Sequence, residues 1–171
     1  MIQHGALGIP DREREALLGA HLQPEPQLAL GRALAERNLA SAMIDLSDGL
    51  LQDLGHVADA SGLGAEVELS RLPISKAAWH LGEAKSMDPR DWALSGGEDY
   101  RLLFCAPGEV AAEIKKLAVE LGGFTPVSIG RMVDGRGLRL HRDGRWIEPA
   151  RGGYDHFLKD FASKGREEGE A

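Results

Sequence analysis

The segment AMIDLSDG, residues 42–49, sets two carboxylates, Asp45 and Asp48, on either side of Ser47, where an apolar run gives way to an amphipathic one. If Ile44 lies on a strand and a helix opens near Asp48, the first helical amides face whatever sits at that junction and favour negative charge. Asp45 and Asp48 are hard oxygen donors suited to Mg2+, a cation that keeps several waters and bridges phosphates. The same residues suit a purely structural task, with Ser47 or Asp48 capping the helix and Asp45 in water. Spacing alone leaves both readings open. Asp53, a little further on, reads as a solvent-facing helix residue.

Two more segments combine paired glycines with acids or rings. In LSGGEDYRLLF, residues 94–104, Gly96 and Gly97 allow a tight turn, and Glu98 and Asp99 directly precede the most strand-like run of the chain. Those carboxylates would then stand on a rigid edge rather than on a long loop. A turn whose acids simply face water has the same sequence. In RGGYDHF, residues 151–157, two glycines lead into Tyr154, with His156 and Phe157 close behind. A turn that anchors Phe157 in a core, with His156 as a structural hydrogen bonder, accounts for that segment as well. His4, His21, His56, His80 and His141 show no ligand spacing, so neither a zinc site nor a nucleophilic triad is expected. Cys105, the single cysteine, can form no internal disulfide and reads as a small buried hydrophobe.

Regular elements must hold these residues in place. DREREALLGAH (11–21) is a helix opened by Pro10 and Asp11. PEPQLALGRALAERN (24–38) is a second, with Leu28, Leu30, Ala33 and Leu34 as its apolar residues and Asn38 as its stop. SAMIDL (41–46) is a short buried strand. In DGLLQDLGHVADASG (48–62), Leu50, Leu51, Leu54, Val57 and Ala58 fall at helical spacing and Gly62 suits the left-handed stop. GAEVELSRLP (64–73) alternates Ala65, Val67 and Leu69 against Glu66, Glu68 and Ser70, a half-buried strand. ISKAAWHLGEA (74–84) is a short helix and DYRLLFCAP (99–107) a strand. GEVAAEIKKLAVELGG (108–123) is a helix with Val110, Ile114, Leu117, Ala118 and Leu121 on one side. TPVSIGRMVDGRGLRLHRDGRWIEP (125–149) gives three short strands broken at DGRG and RDG. Such alternation argues for an α+β fold, a mixed, mostly antiparallel sheet with packed helices and partly ferredoxin-like.

The bulk numbers fit one globular domain. The chain has 171 residues, 43% of them hydrophobic and 27% charged. A net charge of −7 without any Lys/Arg block argues against a nucleic-acid surface. A small phosphorylated ligand remains compatible, since a bound cation inverts the local field. With no signal peptide and no apolar run of bilayer length, the expected setting is the cytoplasm, with no membrane partner. The closing SKGREEGEA is charged, lacks large apolar residues and reads as disordered.

Three motifs in this order are specific where each alone is weak. MIDLSDGLLQDLGHVADASGLGAEVELSRLPIS, LSGGEDYRLLF and GGYDHF together resemble the C-terminal half of thiamine-monophosphate kinases, and LQPEPQLALGRALAE resembles the helix that precedes them. These enzymes belong to the aminoimidazole-ribonucleotide-synthetase superfamily. The resemblance divides the chain into a ragged N-terminal segment and helix (1–20), a substrate-side domain (21–158) and a disordered tail (159–171). It implies transfer of the ATP γ-phosphoryl group to thiamine monophosphate, giving thiamine diphosphate, with Mg2+ required. By motif position it implies Asp45 and Asp48 as Mg2+ ligands, Ser47 as an ATP contact, and Glu98 and Tyr154 at the thiamine-phosphate site. Tyr154 departs from the Trp or Phe usual there but keeps a ring. No side chain is implied as a general base, because the acceptor phosphate is itself an anionic nucleophile near neutral pH. The family's N-terminal domain, with its acidic cluster and its homodimer contacts, has no counterpart in these 171 residues, so the chain alone is expected to be inactive. Two other readings stand beside this one. The domain is a ligand-binding module without phosphoryl transfer, or it belongs to a sister ATP-dependent enzyme with another small acceptor.

Overall fold

The computed structural model describes residues 8–149, which leaves Tyr154, His156, Phe157 and the charged tail outside the described residues. Among the described residues the order is α1 (Asp11–Leu22), α2 (Leu28–Glu36), β1 (Ala42–Asp45), α3 (Leu50–Ser61), β2 (Gly64–Glu68), α4 (Lys76–Lys85), α5 (Pro89–Ser95), β3 (Leu102–Cys105), α6 (Ala111–Gly122), β4 (Gly130–Val133), β5 (Gly137–Arg142) and β6 (Arg145–Ile147). The fold is α+β, with strands in two sheets rather than one. β1 and β3 form an antiparallel pair, and the second sheet runs β4-β2-β5-β6. All neighbours in that second sheet are antiparallel except β2 and β5, which are parallel, with Val67 opposite Leu140.

Two apolar cores sit on either side of the β1–β3 pair. The first joins α3, α5 and the four-stranded sheet through Leu50, Leu54, Ala65, Val67, Leu69, Leu94 and Leu140. The second joins α2 and α6 through Leu30, Leu34, Leu39, Ile114, Leu117 and Ala118. Leu103 of β3 packs on the first core, and its neighbours Leu102 and Phe104 pack on the second. Alternate side chains of one strand thus serve opposite cores, as the pleat requires.

Helix ends follow the expected chemistry in most places. Gly62 and Gly123 end α3 and α6 in the left-handed conformation, and Asn38, past the end of α2, also has a positive φ. Ser75 caps α4 by accepting a hydrogen bond from the amide of Ala78. Asp88 caps α5, with Pro89 at its first position.

Several expectations need correction. β1 is only half-buried: Met43 and Asp45 are exposed, because the second core packs on Leu102 and Phe104 of β3 and leaves their partners on β1 uncovered. Leu28 and Leu121 are exposed, since each lies at a helix end beyond the reach of the opposing core. Glu66 is buried rather than outward in water, because Arg131 of β4 and Arg139 of β5 close over it at 2.8 and 3.0 Å. Cys105 is half-buried rather than fully enclosed, and that burial still raises its thiol pKa.

Candidate functional site

β1 ends at Asp45, and the chain must then turn into α3 within four residues. Gly49 makes the turn, with φ +105°, a conformation that L side chains rarely adopt. It also lies against α5, where an added Cβ would stand 3.0 Å from the Ser95 carbonyl carbon. Gly49, not Ser47 or Asp48, is the N-cap position of α3, and no side chain caps the helix from there. The expected capping role of Ser47 or Asp48 is therefore not the one found. Asp48 instead accepts a hydrogen bond from Gln52 Nε2 at 3.2 Å.

The acid that organises this loop is Asp53. It is 1% exposed, against the expectation of a solvent-facing residue. Its Oδ2 accepts hydrogen bonds from the amides of Ser47 at 3.0 Å and Asp48 at 3.1 Å. The turn at Gly49 brings the loop amides back over the first turn of α3, and a carboxylate there satisfies them. Helical spacing of Leu50, Leu54 and Val57 was the only local signal, and it says nothing about a loop folding back onto the polar side of the helix.

The second motif meets the first. The β1–β3 ladder pairs Asp45 with Leu102, and beyond it the two chains stay zipped. The Leu46 amide donates to the Arg101 carbonyl at 2.8 Å, and the Tyr100 amide to the Leu46 carbonyl at 2.8 Å. The Glu98 amide donates to the Ser47 carbonyl at 2.9 Å. Gly97 is needed at this crossing because a Cβ there would run into the Ser47 carbonyl oxygen. Glu98 and Tyr100 both adopt positive φ, 67° and 49°, so the GGED segment is a sharply bent loop rather than the start of a strand.

The structure thus brings the backbone of Ser47 against that of Glu98, and sets Asp45, Asp48, Glu98 and Asp99 exposed along one pair of joined loops. Asp99 counts as exposed, yet partial desolvation raises its carboxyl pKa, with the charge of Arg101 pulling the other way. Among the described residues no ion pair reaches Asp45, Asp48 or Glu98. Two unneutralised hard-oxygen donors, Asp45 and Asp48, suit a divalent cation that retains water and shares its remaining positions with phosphate. They do not make an all-protein cage: among the described residues no group of three or more His, Cys, Asp or Glu side chains is placed to hold a metal. Two of the histidines pair with carboxylates, His80 with Glu13 and His141 with Glu68, each at 2.8 Å. No helix among the described residues is long and apolar enough to cross a membrane.

Comparison with known proteins decides the family. The AIR synthase related protein, C-terminal domain family matches residues 4–143. The chain belongs to this family. A thiamine-monophosphate kinase of Salmonella typhimurium is 44% identical over 143 residues, 82% of this chain and 42% of that protein. The crystal structure of thiamine-monophosphate kinase from Stenotrophomonas maltophilia K279a superposes with a TM-score of 0.68 at 38% identity, over 80% of this chain and 41% of that one. The structure of AaThiL complexed with AMPPCP and TMP superposes with a TM-score of 0.66 at 32% identity, over 87% and 43%. The chain therefore spans about two fifths of the length of such relatives. The fold expected from the resemblance is the one observed.

Proposed function

We propose that this AIR synthase related domain is the substrate-side part of a kinase that transfers the ATP γ-phosphoryl group to thiamine monophosphate, giving thiamine diphosphate in the cytoplasm. The observation that carries the reading is the junction of the two loops, with the Glu98 amide on the Ser47 carbonyl at 2.9 Å. It supports one acidic surface built from both motifs rather than two unrelated turns. The likeness to proteins named thiamine-monophosphate kinase, one of them complexed with AMPPCP and TMP, supports the choice of ligands.

In this reading Asp45 and Asp48 hold Mg2+, and Ser47 contacts ATP. Mg2+, when bound, neutralises phosphate charge, so that two anionic groups can approach. The protein's own residues position. Asp53 fixes the amides of Ser47 and Asp48 so that the loop keeps its shape while its ligands are exchanged. Glu98 offers a carboxylate to the permanent positive charge of the thiazolium ring. Tyr154, outside the described residues, would offer its ring face, an attraction of about 0.5–2 kcal/mol. No side chain need take a proton from the acceptor phosphate, whose second pKa is about 6.

The test joins this chain to the N-terminal portion of the Salmonella relative. The 171-residue chain alone should give no turnover, and the joined protein should. In the joined protein, Asp45→Asn and Asp48→Asn should fold normally, lose activity and demand more Mg2+. Glu98→Gln and Tyr154→Ala should raise the KM for thiamine monophosphate, by roughly twofold to thirtyfold for Tyr154→Ala, and leave that for ATP nearly unchanged. Equal effects on both substrates, or Mg2+ dependence untouched by the aspartate variants, would sink the reading.

A further inference from the structure

α5 is a seven-residue helix, yet it carries an unusual share of the charge pairing among the described residues. At its N-terminal end Asp88 accepts hydrogen bonds from the Arg90 amide at 2.9 Å and from Arg90 Nε at 3.0 and 2.9 Å. Arg142, the last residue of β5, reaches Asp91 through Nη1 at 2.8 Å and Asp88 through Nη2. Arg90 returns the contact, its Nη1 lying 3.1 Å from Asp143 in the β5–β6 turn. The side chains of Arg142, Arg90, Asp91 and Asp88 are only 15–21% exposed. Pairs sheltered to that degree, in a two-pronged guanidinium geometry, are directional in a way that exposed surface pairs are not.

The opposite end of α5 touches the candidate site. Leu94 is buried in the first core, and Ser95 lies against Gly49 of the Asp45–Asp48 loop. The chain then passes through Gly96 and Gly97 to Glu98, whose amide is bonded to Ser47. α5 buries Pro89 at its start and Leu94 near its end, and apolar burial is non-directional, so it orients so short a helix only weakly. Pro89 packs on Gly82 of α4, a contact that excludes water but sets no direction. The Arg142 fork on Asp88 and Asp91 supplies the direction.

We propose that Arg142 is a positioning residue: by clamping the N-terminal end of α5 to the β5–β6 hairpin, it sets where the C-terminal end delivers the Gly96–Asp99 loop against Ser47. What the loop then binds rests on the kinase reading. The positioning itself does not. The side-chain hydrogen bonds of Arg142 go to Asp88 and Asp91, so its action on the loop runs through α5.

Hydrogen–deuterium exchange on the 171-residue chain tests this without any nucleotide or thiamine compound, so its outcome is separate from that of the kinase reading. In Arg142→Met, the amides of Glu98 and Tyr100 should exchange about tenfold or more faster, a loss of roughly 1.4 kcal/mol in local protection, while the amides of Ile114, Leu117 and Ala118 in α6 keep their rates. Arg142→Lys keeps the charge but loses the fork, and should fall between wild type and Arg142→Met. Should Arg142→Met fail to fold, Asp91→Asn removes one arm of the clamp and is read at the same amides. Wild-type rates at Glu98 and Tyr100 in the folded variants overturn the assignment. So does a rise shared equally by α6, which would mark Arg142 as a contributor to overall stability only.

Discussion

Asp53 places a carboxylate almost out of reach of water, and no cationic side chain pairs with it among the described residues. A buried acid is costly unless its oxygens are satisfied, and here one oxygen takes two backbone donors. The bonds are charge-assisted and so among the stronger class. Asp53→Leu would remove the acceptor and leave the Ser47 and Asp48 amides without it. The expected loss is about 2–6 kcal/mol, from two unsatisfied donors costing roughly 1–3 kcal/mol each. Asp53→Asn keeps an oxygen that can accept both bonds and should lose distinctly less. Urea denaturation of both variants reads the difference, and equal losses would show that charge rather than the hydrogen bonds matters.

At the scale of elements, α5 is the connector between the hairpin and the site, and its charge network makes the connection sensitive to acid. Burial by itself would raise the pKa of Asp88, but hydrogen bonds from the Arg90 side chain and amide and from Arg142 outweigh it and pull the value down to about 2, from an ordinary 3.8. A carboxyl with a lowered folded-state pKa contributes stability that is present above its unfolded pKa and lost as pH falls through the folded one. The contribution of Asp88 should therefore be complete above about pH 4 and gone near pH 2. Thermal melts across that window should show the fall. In Asp88→Asn the part due to this residue should vanish, while the helix cap survives, since Asn caps as well as Asp. An unchanged acid profile in that variant would remove Asp88 as a source of the acid sensitivity.

At the scale of the whole molecule, the described residues form two cores sharing one narrow pair of strands, and the candidate site grows from the end of that pair. Leu103 commits β3 to one core, while Leu102 and Phe104 commit it to the other. The side chain of Gln27, just before α2, accepts from the Leu102 amide at 2.7 Å and ties the second core to the outer edge of β3. Damage to either core should reach the site through the shared strands. Leu34 lies in the second core with no exposed surface. Leu34→Ala should cost about 2–5 kcal/mol. If the cores unfold as one, tryptophan fluorescence and far-UV circular dichroism should move together to lower urea. Trp79, Trp92 and Trp146 sit in α4, α5 and β6, none of which contributes to the second core, so fluorescence reports the part that was not mutated. Separate transitions would show that the β1–β3 pair fails to couple the cores.

Short-range pattern determined a good deal. The helical spacing of Leu50, Leu54 and Val57, the stops at Gly62 and Gly123, and the turns that break β4, β5 and β6 are all local, and all stand in the structure. The end of β1 at Asp45 was also legible, because an apolar run gives way there to acids and glycine. α5 escaped periodicity: seven residues with buried Pro89 and Leu94 give no repeat to count, though Asp88-Pro89 is a helix-opening pair. Other features belong to tertiary structure alone. The burial of Asp53 depends on the chain doubling back at Gly49, and helical spacing shows only which side of α3 is apolar. The meeting of Ser47 with Glu98 joins residues 51 positions apart, and only the β1–β3 register decides it. The burial of Glu66 likewise waits on arginines from β4 and β5, on two other strands. Sequence pattern records what each element prefers within a turn or two of itself. Which polar groups are buried, and which loops touch, is settled only when distant elements pack and every desolvated donor or charge must find a partner.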